Sequence, residues 1–171
     1  FLAQSDSKEG DISPTLIDEG MNSIFCALDK KNGGFGTQPK FPMSGALEFL
    51  LNRYSFTRDI SLGNVLKTTL FAMARGGFHD QLRGGFHRYS TDVWWMIPHF
   101  EKMADDNAWL LRNYVSAYTL FHDEYFKEVA YGIISFMKDE LGDSDGGFYA
   151  SQDADVIPED EGGYFTWTVE E

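Results

Sequence analysis

The sequence predicts an all-α domain in which antiparallel helices send their glycine-rich loops to one common end. Three observations carry this expectation. Five stretches repeat apolar residues at the spacing of an amphipathic helix. Two of the connections between them are only a few residues long, which forces the joined helices to be antiparallel neighbours. The longer connections carry a recurrent tripeptide: Gly33-Gly34-Phe35, Gly76-Gly77-Phe78, Gly84-Gly85-Phe86, Gly146-Gly147-Phe148 and, varied, Gly162-Gly163-Tyr164. A glycine pair stops a helix and lets the backbone approach a neighbour, while the ring that follows pins the loop. Its recurrence indicates an array of similar supersecondary units.

Taken in order, residues 1–12 read as a flexible polar lead-in, and Ser13-Pro14 as the N-cap and first residue of helix one, 14–31, with Leu16, Ile17, Met21, Ile24, Phe25 and Leu28 on its apolar face. Asn32-Gly33-Gly34 stops it. A proline-bearing loop, Gln38 to Pro42, leads to Ser44 as the N-cap of helix two, which carries Ala46, Leu47, Leu50, Leu51 and Tyr54. Helix three covers 61–75, and residues 76–100 form an irregular loop with a short hairpin around the alternating stretch Phe86–Tyr89. Helix four, 104–121, presents Ala108, Leu111, Val115, Tyr118 and Phe121; helix five, 124–140, presents Tyr125, Val129, Ile133, Phe136 and Met137. The extended runs 147–151 and 163–168 read as a second hairpin joined by an acidic loop. Because helices one, three and five each precede a glycine-rich loop, alternating helix direction gathers those loops on one functional face.

Composition narrows the partners. A chain of 171 residues with 43% apolar content forms one globular domain, burying about 70% of its unfolded surface. The net charge of −13 and the scattered Lys and Arg argue against nucleic acid and anionic membrane. No apolar run approaches a membrane span and no signal sequence is visible, so a soluble, cytoplasmic protein is expected. The single cysteine, Cys26, allows no disulfide framework, and its apolar helical setting predicts a buried, inert thiol. Both ends look cut: the chain starts at Phe1, and Thr168-Val169-Glu170-Glu171 has the capping-box pattern of a helix that does not follow. Exposed helix faces and self-association are therefore expected.

Thirteen residues suited to chemistry fall within 28 positions: His79, Asp80, His87, Arg88, Tyr89, Asp92, Trp94, Trp95, His99, Glu101, Lys102, Asp105 and Asp106. A second group, Ser151-Gln152-Asp153-Ala154-Asp155, follows Phe148-Tyr149. Sugar chemistry needs acid/base groups across the reacting bond, aromatic platforms for ring faces, and polar groups for hydroxyls. Two carboxylates serve hydrolysis, which Glu101, Asp153 and Asp155 fit. Histidines supported by carboxylates serve proton abstraction beside a carbonyl, which His79, His87 and His99 fit. The sequence leaves both schemes open. The candidates for catalysis are His99, Glu101, Asp153 and Asp155; those for ligand contact are His87, Arg88, Tyr89, Trp95, Asp106, Tyr149 and Gln152. Trp94 and Trp95 are adjacent, so in extended chain one faces in and the other out.

Structural alternatives stand beside these roles. His99 and Glu101 precede a helix, where they also serve as favourable end charges, and His122 at the end of helix four reads as a surface residue there. Asp153-Ala154-Asp155 is equally a turn and lacks a third ligand at fixed spacing, so no metal is expected. The glycine pairs do not follow a strand and open a helix, so nucleotide binding is rejected and no cofactor is predicted.

The runs Gly33-Gly34-Phe35-Gly36, Pro39-Lys40-Phe41-Pro42, Gly84 to Asp92, Pro98-His99-Phe100-Glu101-Lys102-Met103, Asp106-Asn107 and Ser151 to Asp155 together resemble the thioredoxin-domain-containing family related to spermatogenesis-associated protein 20. The resemblance implies an (α/α)6 toroid of the six-hairpin glycosidase type. Residues 13–171 are then the N-terminal part of that barrel, and the thioredoxin-like part is missing. By analogy with sugar-acting barrels it implies a carbohydrate ligand and glycosidase or sugar epimerase/isomerase chemistry. A non-catalytic scaffold that binds proteins beside the thioredoxin-like domain is the alternative.

Overall fold

The computed structural model describes residue 13 and residues 15–167; the polar lead-in, Pro14 and the capping-box pattern at 168–171 lie outside these. Among the described residues five helices form: α1 Thr15–Cys26, α2 Ser44–Thr57, α3 Ile60–Arg75, α4 Ala104–Phe121 and α5 Glu124–Asp139. Four two-residue strands lie in the loops: β1 Tyr89–Ser90, β2 Pro98–His99, β3 Lys102–Met103 and β4 Ser151–Gln152.

The two short links share one design. In the first, Arg58 takes a left-handed conformation and donates back to the Tyr54 carbonyl, and Asp59 then caps α3 through the amides of Ser61 and Leu62. In the second, His122 turns the same way onto the Tyr118 carbonyl, and Asp123 caps α5 through Tyr125. A left-handed stop followed by an acidic N-cap reverses the chain in two residues. The exposed position expected of His122 is found.

Helix one is shorter than the periodicity predicts. Beyond Cys26, the Asp29 Oδ1 accepts from the amides of Lys31 and Asn32, at 3.0 Å each, and Leu28 pairs with Phe35. A short acidic side chain that captures turn amides competes with the helix ladder and ends it. At Cys26 the chain is still on the outer surface, so the thiol is exposed rather than buried. Ser44 is the first helical residue of α2, not its cap; Met43 precedes it at φ 48° without a side-chain cap.

The core lies between α2, α3, α4 and α5, on Leu47, Leu50, Leu66, Leu70, Leu110, Tyr114, Phe126 and Ile133. On α4 the buried face is Asn107, Leu110, Asn113, Tyr114 and Ala117, while the expected face residues Ala108 and Val115 are exposed. Asn107 turns the helix this way: its side chain is wholly buried and grips the Phe86 amide at 2.7 Å and carbonyl at 2.9 Å. A buried amide must be paired, and here the pairing binds helix to loop.

The glycine-rich loops gather at one end, as the connection pattern predicts. Lys40 pairs with Ser90, β1 pairs with β2, and β3 pairs with β4. The short hairpin expected near Phe86–Tyr89 is β1–β2, with Tyr89 opposite His99. The second expected hairpin does not form among the described residues. Instead Ser151–Gln152 pairs with Lys102–Met103, and Phe148 pairs with Gly142. Two glycines show why the theme recurs. Gly84, at φ +72°, lies so close to the Gly132 carbonyl of α5 that no Cβ fits, and Gly76 leaves no room beside the Trp95 carbonyl. Phe35, Phe78 and Phe86 are buried anchors, whereas Phe148 and Tyr164 are exposed.

Candidate functional site

Two buried lysines fix the loop end. Lys40, fully buried, meets Asp29 at 2.7 Å and the Val93 carbonyl at 3.0 Å. Lys102, equally buried, meets Asp80 at 2.6 Å and the Gly84 carbonyl at 3.0 Å. Each aspartate stands four residues before a glycine pair and caps the turn amides with its other oxygen: Asp29 as above, Asp80 through Leu82 and Arg83. Burial alone would raise the Asp80 carboxyl, but the Arg83 amide and Lys102 outweigh it and the net shift is downward. A paired and hydrogen-bonded charge is tolerated where a bare one is not. These clasps tie down the loops on either side of β1, β2 and Glu101.

On that frame His99 stacks against Tyr89, ring centroids 4.9 Å apart. Its Nδ1 lies 2.7 Å from Glu161 Oε1, and its Nε2 lies 3.8 Å from Glu101 Oε2. Glu101 is held by Arg88 at 2.8 Å, and the Arg88 amide donates to the Glu101 carbonyl. Asp106, half-buried in the first turn of α4, has its carboxyl pushed up by burial, with Asp105 and Glu101 adding to the shift and Arg88 opposing it. Because a carboxylate can only accept, His99 Nδ1 carries the hydrogen of the Glu161 contact. In the neutral ring Nε2 is then the nitrogen that carries no hydrogen. The side chains of His99 and Glu101 are 26% and 24% exposed, so the cluster is open to ligand at the surface.

The remaining candidates fall elsewhere. Asp153 accepts from the Asp155 amide at 3.2 Å, and both are exposed; the acidic loop reaches His99 through Glu161, which pairs with Asp155 across a bridge. Glu161 escaped the sequence reading, although the run Glu159-Asp160-Glu161 is acidic enough to have drawn attention. Tyr149 donates to Asp143, and Gln152 sits in β4 with its Oε1 buried and unpaired among the described residues. Trp95 cannot face a ligand. At φ 68° its indole turns into the core, fully buried, and donates to the Gly33 carbonyl at 3.2 Å, so Trp94 is the exposed member of the pair.

His87 is buried and lines a cavity of about 670 Å³ with Phe100, Tyr164, Phe165 and Trp167. Its Nδ1 lies 2.8 Å from the Phe100 carbonyl, and burial lowers its pKa to about 4. His79, buried beside α5, bonds the Ala74 carbonyl at 3.2 Å, and burial lowers its pKa as well. Among the described residues no group of three His, Cys, Asp or Glu side chains is placed to hold a metal, and no helix is long and apolar enough to cross a membrane.

Helices paired by short links, with their long loops interlocked at one end, define a six-hairpin glycosidase-like (α/α)6 fold. The likeness is explicit in solved structures. A sugar epimerase from a ruminal bacterium superposes with a TM-score of 0.69 over 81% of this chain and 40% of that chain, at 17% identity. The cellobiose 2-epimerase of Bacillus thermoamylovorans superposes at 0.67 over 82% and 42%, at 11% identity. An unsaturated glucuronyl hydrolase specific for heparin superposes at 0.64 over 79% and 41%, at 16% identity. Such identities show the fold alone.

Homologues of this chain are spermatogenesis-associated protein 20 from human and mouse, 43% and 41% identical over its whole length. The chain spans about a quarter of those relatives, 24% and 23%. No family model matches it.

Proposed function

We propose that this domain acts on a carbohydrate by acid–base chemistry, with His99 transferring a proton beside a carbonyl as in sugar epimerisation or isomerisation. One observation carries the reading: an imidazole oriented through Nδ1 by Glu161 at 2.7 Å, with Nε2 facing Glu101. That is the histidine–carboxylate arrangement proton abstraction requires, whereas hydrolysis would use two carboxylates across the bond. Asp153 and Asp155, the other half of the hydrolytic scheme, stand in a turn of their own. The neighbours named as epimerases support the class by analogy of fold. Arg88, Tyr89 and Asp106 contribute contacts to sugar hydroxyls. Within this reading the described helices are the first part of the ring, and the exposed free thiol of Cys26 suits a reducing, cytoplasmic setting.

The test is to incubate the full chain with a panel of neutral aldoses, disaccharides and sugar phosphates and to follow new sugar signals by proton NMR. Conversion of at least one neutral sugar is expected. Glu161→Gln should slow it by about 10²-fold or more, the scale of a supported acid–base group. A panel without conversion, or a Glu161→Gln variant as fast as the parent, contradicts the reading.

A further inference from the structure

We infer that the cavity beside the β1–β2 hairpin is a binding site for an uncharged, hydroxyl-bearing ring of the chemical class of a simple glycoside, separate from the His99 cluster. Successive residues of an extended chain point to opposite faces. Pro98 and Phe100 line this cavity, whereas His99 and Glu101, which alternate with them, do not. At about 670 Å³ the cavity has the volume of a small-molecule site.

The side chains of its inner wall, His87 and Gln81, offer acceptors, while the exposed Arg83, Tyr164 and Trp167 carry donors. A carbonyl can only accept, so the contact between His87 Nδ1 and the Phe100 carbonyl places the hydrogen on Nδ1 and leaves Nε2 as a lone pair. Burial keeps that ring neutral, with a pKa of about 4. Gln81 Nε2 is engaged by the carbonyls of Ala74, Gly76 and His79 at 2.9, 3.0 and 3.1 Å, which leaves the amide oxygen free to accept. A ligand for this wall must donate hydrogen bonds, as hydroxyls do and phosphate oxygens do not.

The charges at the cavity cancel within the protein: Asp80 is paired with Lys102, and Arg83 at the rim with Glu140 at 2.8 Å. Among the described residues that line the cavity, no cation lacks a carboxylate partner. The remaining surface is aromatic, with Phe100 and Phe165 stacked at 5.6 Å and Tyr164 and Trp167 beside them. Flat apolar walls suit the C–H faces of a sugar ring. The cavity stands apart from the acid–base cluster, so this site does not depend on the proposed catalysis.

The experiment titrates the full chain with methyl β-glucoside and, separately, glucose 6-phosphate, read by saturation-transfer NMR and tryptophan fluorescence. Methyl β-glucoside should bind saturably and glucose 6-phosphate at least tenfold more weakly. Trp167→Ala and Leu82→Asp change residues 68% and 76% exposed, so both variants keep the fold, and each should weaken the glycoside at least tenfold. His99→Gln should bind it as the parent does. Absence of saturable binding, equal affinity for the phosphate, indifference to both cavity variants, or loss of binding in His99→Gln would each overturn the assignment. A catalytically silent protein that still binds the glycoside would sink only the proposed chemistry.

Discussion

Replacing Asp80 by Asn removes one charge and almost no volume, and it separates the two tasks of that side chain. Asn keeps an Oδ1 for the amides of Leu82 and Arg83, each 2.9 Å away, so the turn remains capped. What is lost is the anion 2.6 Å from Lys102, whose side chain is fully buried while that of Asp80 is 10% exposed. Breaking a buried pair from one side leaves an uncompensated charge and costs about 3–5 kcal/mol, a large share of a total stability of about 5–15 kcal/mol. Urea denaturation followed by circular dichroism at pH 7 should show that loss. Lys102→Met in the Asp80→Asn background should recover most of it, because the stranded cation is gone. Burial already lowers the Lys102 pKa against the pull of Asp80, so in Asp80→Asn alone the deficit should shrink as pH rises and the ammonium gives up its proton. A loss below about 1 kcal/mol, the value of an exposed pair, would refute the claim that the clasp fixes the loop end.

Other consequences follow from burial and close contact. His87 is neutral in the fold with a pKa of about 4 against an ordinary 6.5, so the unfolded chain binds the extra proton between those values. Stability should be fully present above pH 6.5 and fall as pH drops toward 4, by up to about 3 kcal/mol; denaturation midpoints that do not move across this window would contradict the burial argument. Gly84→Ala forces a side chain into φ +72° and against the Gly132 carbonyl, so a loss of roughly 2–4 kcal/mol is expected in a thermal melt, and a neutral effect would mean the loop does not sit on α5 as described. Phe56, Ile60 and Tyr131 are 85%, 80% and 60% exposed, and the 171-residue chain alone should self-associate. Light scattering that reports a concentration-independent monomer would dispose of that expectation.

The bounds of α4 and the antiparallel pairing across the two short links were open to reading from sequence, because helical period and link length fix them. The Asp123 cap follows a left-handed His122, and the helix spans the residues its spacing predicts. The facing of α4 was not legible, since the residues that set it, Asn107 and Asn113, are polar and yet wholly buried. The same holds for Lys40 and Lys102: charged residues read as solvated until their aspartates are placed, although the recurrence of Asp four residues before Gly33 and Gly84 is a signal in hindsight. The site divided along similar lines. His99, Glu101 and Arg88 are near one another in sequence and meet in space. Glu161 reaches His99 across 62 positions through a loop with no periodicity, and local spacing says nothing about such contacts. Trp95 was misplaced because alternation fixes that one of two adjacent rings turns inward, not which one.

In the proposed reaction His99, oriented by Glu161, moves a proton on a sugar. Solvent isotope incorporation tests it most directly: the full chain is incubated with a neutral sugar in D2O, and deuterium at the carbon beside the carbonyl is followed by NMR for the parent and for His99→Gln. Steady incorporation by the parent and a loss of at least about 10²-fold in the variant are expected. Incorporation at equal rates in both, or none in a parent that nevertheless converts the sugar, would contradict it.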